Sequence, residues 1–357
     1  MAAYYVIVIV ALLISVFDFI KNDIIRLVAY IGYCLALVLF IGLRSVGVDN
    51  DGANYADAFN LAAELPWNEL IRGTYGETME RGYLLINKLI SVLGGDIRVV
   101  FLVMAAATGA VNYTLIYKKS PLPFTSLFLY VCFFFFYRDF TQIRFALSAG
   151  IGMWAVFGWL DKKYLRAVVL VLLAASIHSA VLVILLLFVL YELGINMWVY
   201  FLLPVLGLVG GFFNPIMLLF RLGGLPPTLA QYVELDEFGS GGYVVSAIAQ
   251  VLMATMLVFR AKLVERYSEA WFNLLFVALS VGSFINLLFI SFAIMQRLAL
   301  LLFGAVLFAL PSLSHTLESE EEDKFYALFF RVVLMVYVLY YGLKMINPGL
   351  MQPYSIL

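Results

Sequence analysis

Gly42-Leu43-Arg44-Ser45-Val46-Gly47-Val48-Asp49-Asn50-Asp51 opens the longest polar interval of a chain that is otherwise almost continuous hydrocarbon, and that interval runs from Arg44 to Arg98. The apolar stretches 24–43 and 97–117 flank it. Each has roughly the 20 residues that a helix rising about 1.5 Å per residue needs to cross a bilayer. The polar interval therefore reads as a loop, 44–96, joining two spans on one face of a membrane. This predicts an all-α, polytopic integral membrane bundle in a single domain, 1–357.

Composition agrees. Hydrophobic residues make up 64% of the chain and charged residues 13%, with a mean hydropathy of +1.01, whereas an ordinary soluble domain carries about 25% charge. A net charge of −1 offers no electrostatic footing for nucleic acid. Met1 to Val16 is apolar, with no preceding basic residue and no small-residue cleavage site, which predicts a retained span. Cys34 and Cys132 lie far apart inside apolar segments and read as small packing residues.

Working outward, roughly twelve segments have the apolar length to cross or nearly cross. They are 2–20, 24–43, 97–117, 122–137, 141–160, 164–177, 179–193, 196–213, 242–260, 270–291, 294–311 and 325–343. Short lysine-bearing clusters at Lys21 and Arg26, Lys118-Lys119, Lys162-Lys163 with Arg166, and Arg260 with Lys262 and Arg266 are cytoplasmic by the positive-inside rule. Alternation then places 44–96, Arg138-Asp139, the loop 214–241 and both termini outside. Segments 164–177 and 179–193 are each too short for a relaxed crossing and together too long for one. They predict a short helical hairpin whose turn, at Ile177-His178, lies below the outer surface. Non-helical backbone at that depth needs a covering of protein or a water-filled cavity, so His178 is expected on the floor of an externally open cleft. Loop 214–241 reads either as a lid over that cleft or as a plain connector, and the acidic run Glu318 to Asp323 as a solvated loop.

The basic residues differ by side. Arg44, Arg72, Arg81, Arg98, Arg138, Arg144, Arg221 and Arg297 make the outer face an arginine face. Topology alone does not call for that, whereas phosphate does, because the planar guanidinium fork binds it bidentately and keeps its charge. The competing reading is that these arginines pair with Asp139, Glu80 or backbone carbonyls to lock helices. His178 is the sole histidine expected at membrane depth and can accept a proton near neutrality; Glu80 and Asp51 compete for that role. Asp49 and Asp51 equally suit a turn. Tyr55, Tyr83 and Tyr232 have faces on which a sugar could stack, and Asp139 is grouped with them as a sugar ligand. No glycine-rich phosphate loop, paired histidines at ligand spacing or Gly-x-Ser-x-Gly elbow occurs, so a metal-dependent soluble-enzyme mechanism has little support.

Four motifs in order resemble the EpsG-like branch of the Wzy polysaccharide polymerases. They are Gly42-Leu43-Arg44 with Gly47, Asp49, Asp51, Tyr55 and Phe59; Glu80-Arg81-Gly82-Tyr83-Leu84-Leu85-Ile86-Asn87; Tyr137-Arg138-Asp139-Phe140-Thr141-Gln142-Ile143-Arg144-Phe145-Ala146-Leu147; and Ile177-His178-Ser179-Ala180. They cover about the first half of the chain; beyond Tyr191 the resemblance rests on hydropathy and Arg297. The spacing between Gly47 and Tyr55 lets either Asp49 or Asp51 take the family's aspartate position. The resemblance implies a cofactor-free, multi-pass glycosyltransferase of the bacterial cytoplasmic membrane with an outward-facing site. Donor and acceptor would be oligosaccharide repeat units on undecaprenyl diphosphate, with membrane lipids around it and a chain-length regulator as a candidate partner. Arg44, Arg138, Arg144 and Arg297 are then expected on the donor diphosphate, with His178, or else Glu80, as base. An O-antigen ligase, a sugar acyltransferase and a lipid-linked oligosaccharide flippase stand as alternatives.

Overall fold

The computed structural model describes residues 1–74, 79–224, 230, 233, 242–318, 324–349 and 351–356. Among them the fold is helical, and extended pairing is confined to the isolated bridges Arg44 to Ile356 and Asp49 to Met351. The helices are α1 (Ala2–Ile14), α2 (Asp23–Gly42), α3 (Gly52–Glu64), α4 (Trp67–Arg72), α5 (Arg81–Val92), α6 (Ile97–Lys119), α7 (Pro123–Tyr130), α8 (Ile143–Leu160) and α9 (Tyr164–Ala175). They continue as α10 (Val183–Glu192), α11 (Met197–Phe212), α12 (Pro215–Arg221), α13 (Tyr243–Val258), α14 (Arg260–Tyr267), α15 (Glu269–Leu288), α16 (Ala293–Leu302), α17 (Val306–Glu318) and α18 (Lys324–Met345).

Local chemistry sets several of the boundaries. The Asn22 side chain accepts from the amides of Ile24 and Ile25 and starts α2. Asp96 does the same for Arg98 and Val99 at α6, which closes on Lys118 and Lys119, cations favoured at a helix C-terminus. At α7, Pro123 occupies the first turn, where its missing N–H costs nothing. There the amides of Phe124 and Thr125 donate to a remote carboxylate, Asp18. The phenylalanine-rich stretch Val131–Phe140 then continues as a π-helix.

Against the twelve segments expected to cross or nearly cross, six helices among the described residues are long and apolar enough to cross: Ala2–Phe19, Asp23–Gly42, Ile97–Lys119, Ile143–Leu160, Glu269–Leu288 and Ala293–Glu318. The count reaches eight if α11 with α12, bent by 42°, and α13 with α14, bent by 81°, each make one span. Hydropathy measures apolar length and cannot register where the backbone turns. The stretch 122–137 divides into α7 and the π-helix, and 164–177 and 179–193 are short helices. The break between them falls where predicted: α9 stops at Ala175, the His178 amide donates to Ala174 O, and a 3-10 turn, Ser179–Leu182, leads into α10.

The chain's contacts divide it into two units. The first comprises Met1–Ala155, Leu165–Ser179 and Leu317–Leu357. In it the polar interval is folded rather than irregular. α3, α4 and α5 share a core with α6 and α8 built on Tyr55, Ala62, Leu70, Tyr83, Phe101 and Ile143. The C-terminal residues strap the Arg44–Asp49 turn. The Ser45 amide donates to Ser355 O at 3.0 Å and the Gln352 amide to Val48 O at 2.8 Å, while Tyr354 stacks on Phe40 at 4.3 Å. The second unit comprises Val156–Tyr164 and Ala180–Thr316. There α11 lies directly on α15, because a Cβ at Gly207 or Gly211 would stand 2.5 Å from Phe284 O or 2.3 Å from Leu287 O. Small residues allow such backbone approach where no aqueous hydrophobic effect drives helices together.

Candidate active site

A glycine brings the site together. The Gly82 amide, in the first turn of α5, donates to Ser176 O at 2.7 Å, and a Cβ on Gly82 would lie 2.6 Å from that same oxygen. Only glycine lets the start of α5 meet the end of α9 so closely. Glu80, the residue before α5, is thereby set beside the Ile177-His178-Ser179 break.

The Glu80 carboxylate then joins three partners. Its Oε1 accepts from the Ser179 amide at 2.9 Å and the Ser179 hydroxyl at 3.1 Å and lies 3.3 Å from His178 Nδ1. Its Oε2 accepts from Arg144 Nη1, in the first turn of α8. The edge of the Phe145 ring meets the imidazole at 5.3 Å, and the Arg144 guanidinium stands 5.6 Å from the centre of the Tyr83 ring. Side-chain exposure of 17% for Glu80 and His178 and 19% for Arg144 leaves the trio recessed but reachable.

Burial alone would raise the Glu80 carboxyl. The hydrogen bond from His178, the charge of Arg144 and the Ser179 amide outweigh it and hold the group at about 2, and the positive end of α5 acts in the same direction. Glu80 is thus an ionised carboxylate at neutral pH. A group so acidic is a poor proton acceptor but a good orienting anion, since a general base works best near the operating pH. With Glu80 on Nδ1, the imidazole turns Nε2 away from the carboxylate, the orientation by which a carboxylate readies a histidine to accept a proton.

The other predicted residues are placed differently. Arg44 is fully buried. Its Nε donates to Asp49 Oδ2 at 2.7 Å, its Nη1 donates to Ile41 O at 2.9 Å, and its guanidinium packs over Phe101 and Phe140. Arg138 and Asp139 are also buried, with 3.6 Å between Nε and Oδ1. The Tyr130 hydroxyl donates to Asp139, and the Arg138 guanidinium lies 4.6 Å from the Phe134 ring centre. Asp51 is the residue before α3, its amide donating to Asp49 Oδ1. Tyr55 and Tyr83 are buried edge to face, 5.8 Å apart. Arg297 lies on α16 in the second unit, with its Nε buried and unbonded. Tyr232 lies outside the described residues.

Sequence reasoning passed over Ser179, Gly82 and Ser176 as parts of the site, although the first two stand inside quoted motifs. It also missed a buried lock in which Arg331 donates to Glu318 at 2.7 Å and to Thr125 at 3.0 Å, 4.0 Å from Asp18. Arg331 is 206 positions from Thr125 and farther still from Asp18, and no local pattern connects them.

Comparison with known protein families matches the EpsG family over residues 27–356. The chain belongs to the EpsG family. The match extends through the second unit, well past Tyr191, where the motifs thin out. Membership makes this a multi-pass membrane protein and points to the synthesis of polysaccharide by a membrane polymerase. No curated protein and no solved structure matches the chain.

Proposed function

We propose that this EpsG-family protein is a glycosyltransferase that polymerises undecaprenyl-diphosphate-linked oligosaccharide repeat units on the outer side of the cytoplasmic membrane. The observation that supports this most is the Glu80 carboxylate holding a guanidinium and an imidazole side by side in a recess. Polymer transfer needs both groups: a base for the attacking hydroxyl and a cation for the departing diphosphate.

In this reading the acceptor sugar hydroxyl attacks the anomeric carbon of the donor chain. Its proton passes to His178 Nε2, a new C–O bond forms, and the bond from that carbon to the diphosphate breaks. The lipid diphosphate leaves with the electron pair. Arg144, held by Glu80, meets the charge that develops on it, which is electrostatic stabilisation of the transition state. Glu80 acts through the other two as a positioning residue, and the amide and hydroxyl of Ser179 hold it in turn.

The test is the fate of lipid-linked units in cells that make His178→Ala, with a membrane-impermeant glycosidase reporting their side. Removal of a general base costs about 10²–10⁴ in rate, so single repeat units are expected to accumulate on the outer face. Polymer at more than about a tenth of the normal rate would remove His178 from the base role. Units trapped on the inner face would instead identify a flippase.

A further inference from the structure

The second unit holds a cavity of about 840 Å³, within the ~300–1,000 Å³ of small-molecule sites, lined by none of the Glu80-site residues. Its walls come from the end of α10, the turn before α11, α11, α13, Arg260 at the start of α14, and α15. Along α15 the lining residues are Glu269, Asn273 and Val277, at i, i+4 and i+8 on one face, so the wall grades from carboxylate through amide to aliphatic over ~12 Å. At the charged end Arg260 Nη2 lies 2.6 Å from Glu269 Oε1, and both side chains are roughly half-exposed, at 45% and 61%. Midway, Asn273 contributes to the wall. At the apolar end the path continues along α11, where Trp198 lines the cavity and Leu202, Val205 and Val209 follow on the same face, all exposed.

A wall graded in this way suits an amphiphile lying along the helices with its head at Arg260 and Glu269. The head must carry both charges, because a purely anionic group on Arg260 would meet the Glu269 carboxylate beside it. It must also donate hydrogen bonds, because the Glu269 carboxylate is an acceptor. We propose that this cavity binds a glycerophospholipid with a primary-ammonium headgroup, its phosphate on Arg260, its ammonium on Glu269 and its first methylenes toward Val277. The site is independent of the polymerase reading.

Native mass spectrometry of the full-length protein, offered phosphatidylethanolamine, phosphatidylcholine and phosphatidylglycerol in equal amounts, tests the site. Retention of phosphatidylethanolamine is expected to exceed each of the others about tenfold, a difference of about 1.4 kcal/mol. Arg260→Ala and Glu269→Gln should each abolish that preference. Both side chains are roughly half-exposed, so each variant should keep the fold, as judged by its thermal midpoint, while losing the preference. Equal retention of the three lipids, preference for phosphatidylglycerol, or an unchanged preference in either folded variant would overturn the proposal.

Discussion

Arg44 and Arg144 show that one residue type can occupy two quite different environments. Arg44 is sealed between two phenylalanine rings and its carboxylate partner, with no exposed side-chain surface. Truncating one member of such a pair leaves the other charge buried and alone, which costs about 3–5 kcal/mol. Arg44→Ala should therefore lose its folded state to heat or detergent well before the parent, as a melting curve in mild detergent will show. Arg144 is partly open, so Arg144→Lys should fold normally yet lose polymer almost as completely as Arg144→Ala, since lysine lacks the planar fork. Equal polymer yield from the lysine variant would mean that any positive charge suffices. Glu80 adds a pH signature. Its carboxyl is held at about 2 in the folded protein against an ordinary 4.5, so its stabilising contribution is complete above about pH 4.5 and disappears as pH falls through about 2. The thermal midpoint of the parent should consequently fall between about pH 5 and about pH 2 more steeply than that of Glu80→Gln. By the same shift, any acid limb of the activity profile above about pH 4 belongs to a group other than Glu80.

Among the elements, the contact between α5 and the end of α9 decides whether the site exists. Helix α5 is amphipathic and would bury the same apolar face, Tyr83, Leu84 and Ile90, with its first turn displaced. Gly82 permits the close approach, and the hydrogen bond to Ser176 O holds it. In Gly82→Val the added carbons meet Ser176 backbone, so Glu80 should withdraw from His178 and Arg144 while the core of α3, α5 and α6 persists. The expected outcome is polymer synthesis reduced at least about tenfold with the thermal midpoint lowered only modestly, as a small-to-large change costs about 1–3 kcal/mol. A valine variant with full activity would show that this approach does not set the geometry. The residues of this contact stood in the motifs, Glu80 and Gly82 in one and His178 in another, but α5 itself lay within the interval 44–96 read as a loop. Their meeting was not legible, since glycine at a close approach looks the same in sequence as glycine in a turn.

For the molecule as a whole, the sidedness expected from the distribution of lysine is directly measurable. Asn50 lies in the strapped turn and Lys163 in the lysine-bearing link between α8 and α9, and both are exposed. In a background with Cys34 and Cys132 replaced by serine, Asn50→Cys should react with a membrane-impermeant maleimide added to intact cells. Lys163→Cys should react only after the membrane is opened. The reverse pattern would invert the topology and move the Glu80 site to the cytoplasmic face. Composition alone determined that this chain is an all-helical membrane protein: a chain with so little charge has too few polar groups to cover a water-facing surface, and helices satisfy their own backbone in hydrocarbon. Residue type and expected depth also singled out Glu80, Arg144 and His178, together with Arg44, Arg138, Arg297 and Asp51, since charges are rare in such a chain and each needs a reason. Which of the apolar segments form unbroken helices was decided only by the tertiary structure, because apolar length does not reveal where a helix bends or turns π-helical. So too was the sorting of arginines into a buried lock and an open site, because burial depends on residues such as Phe101, Phe140 and the C-terminal strap that reach Arg44 only when the chain is folded.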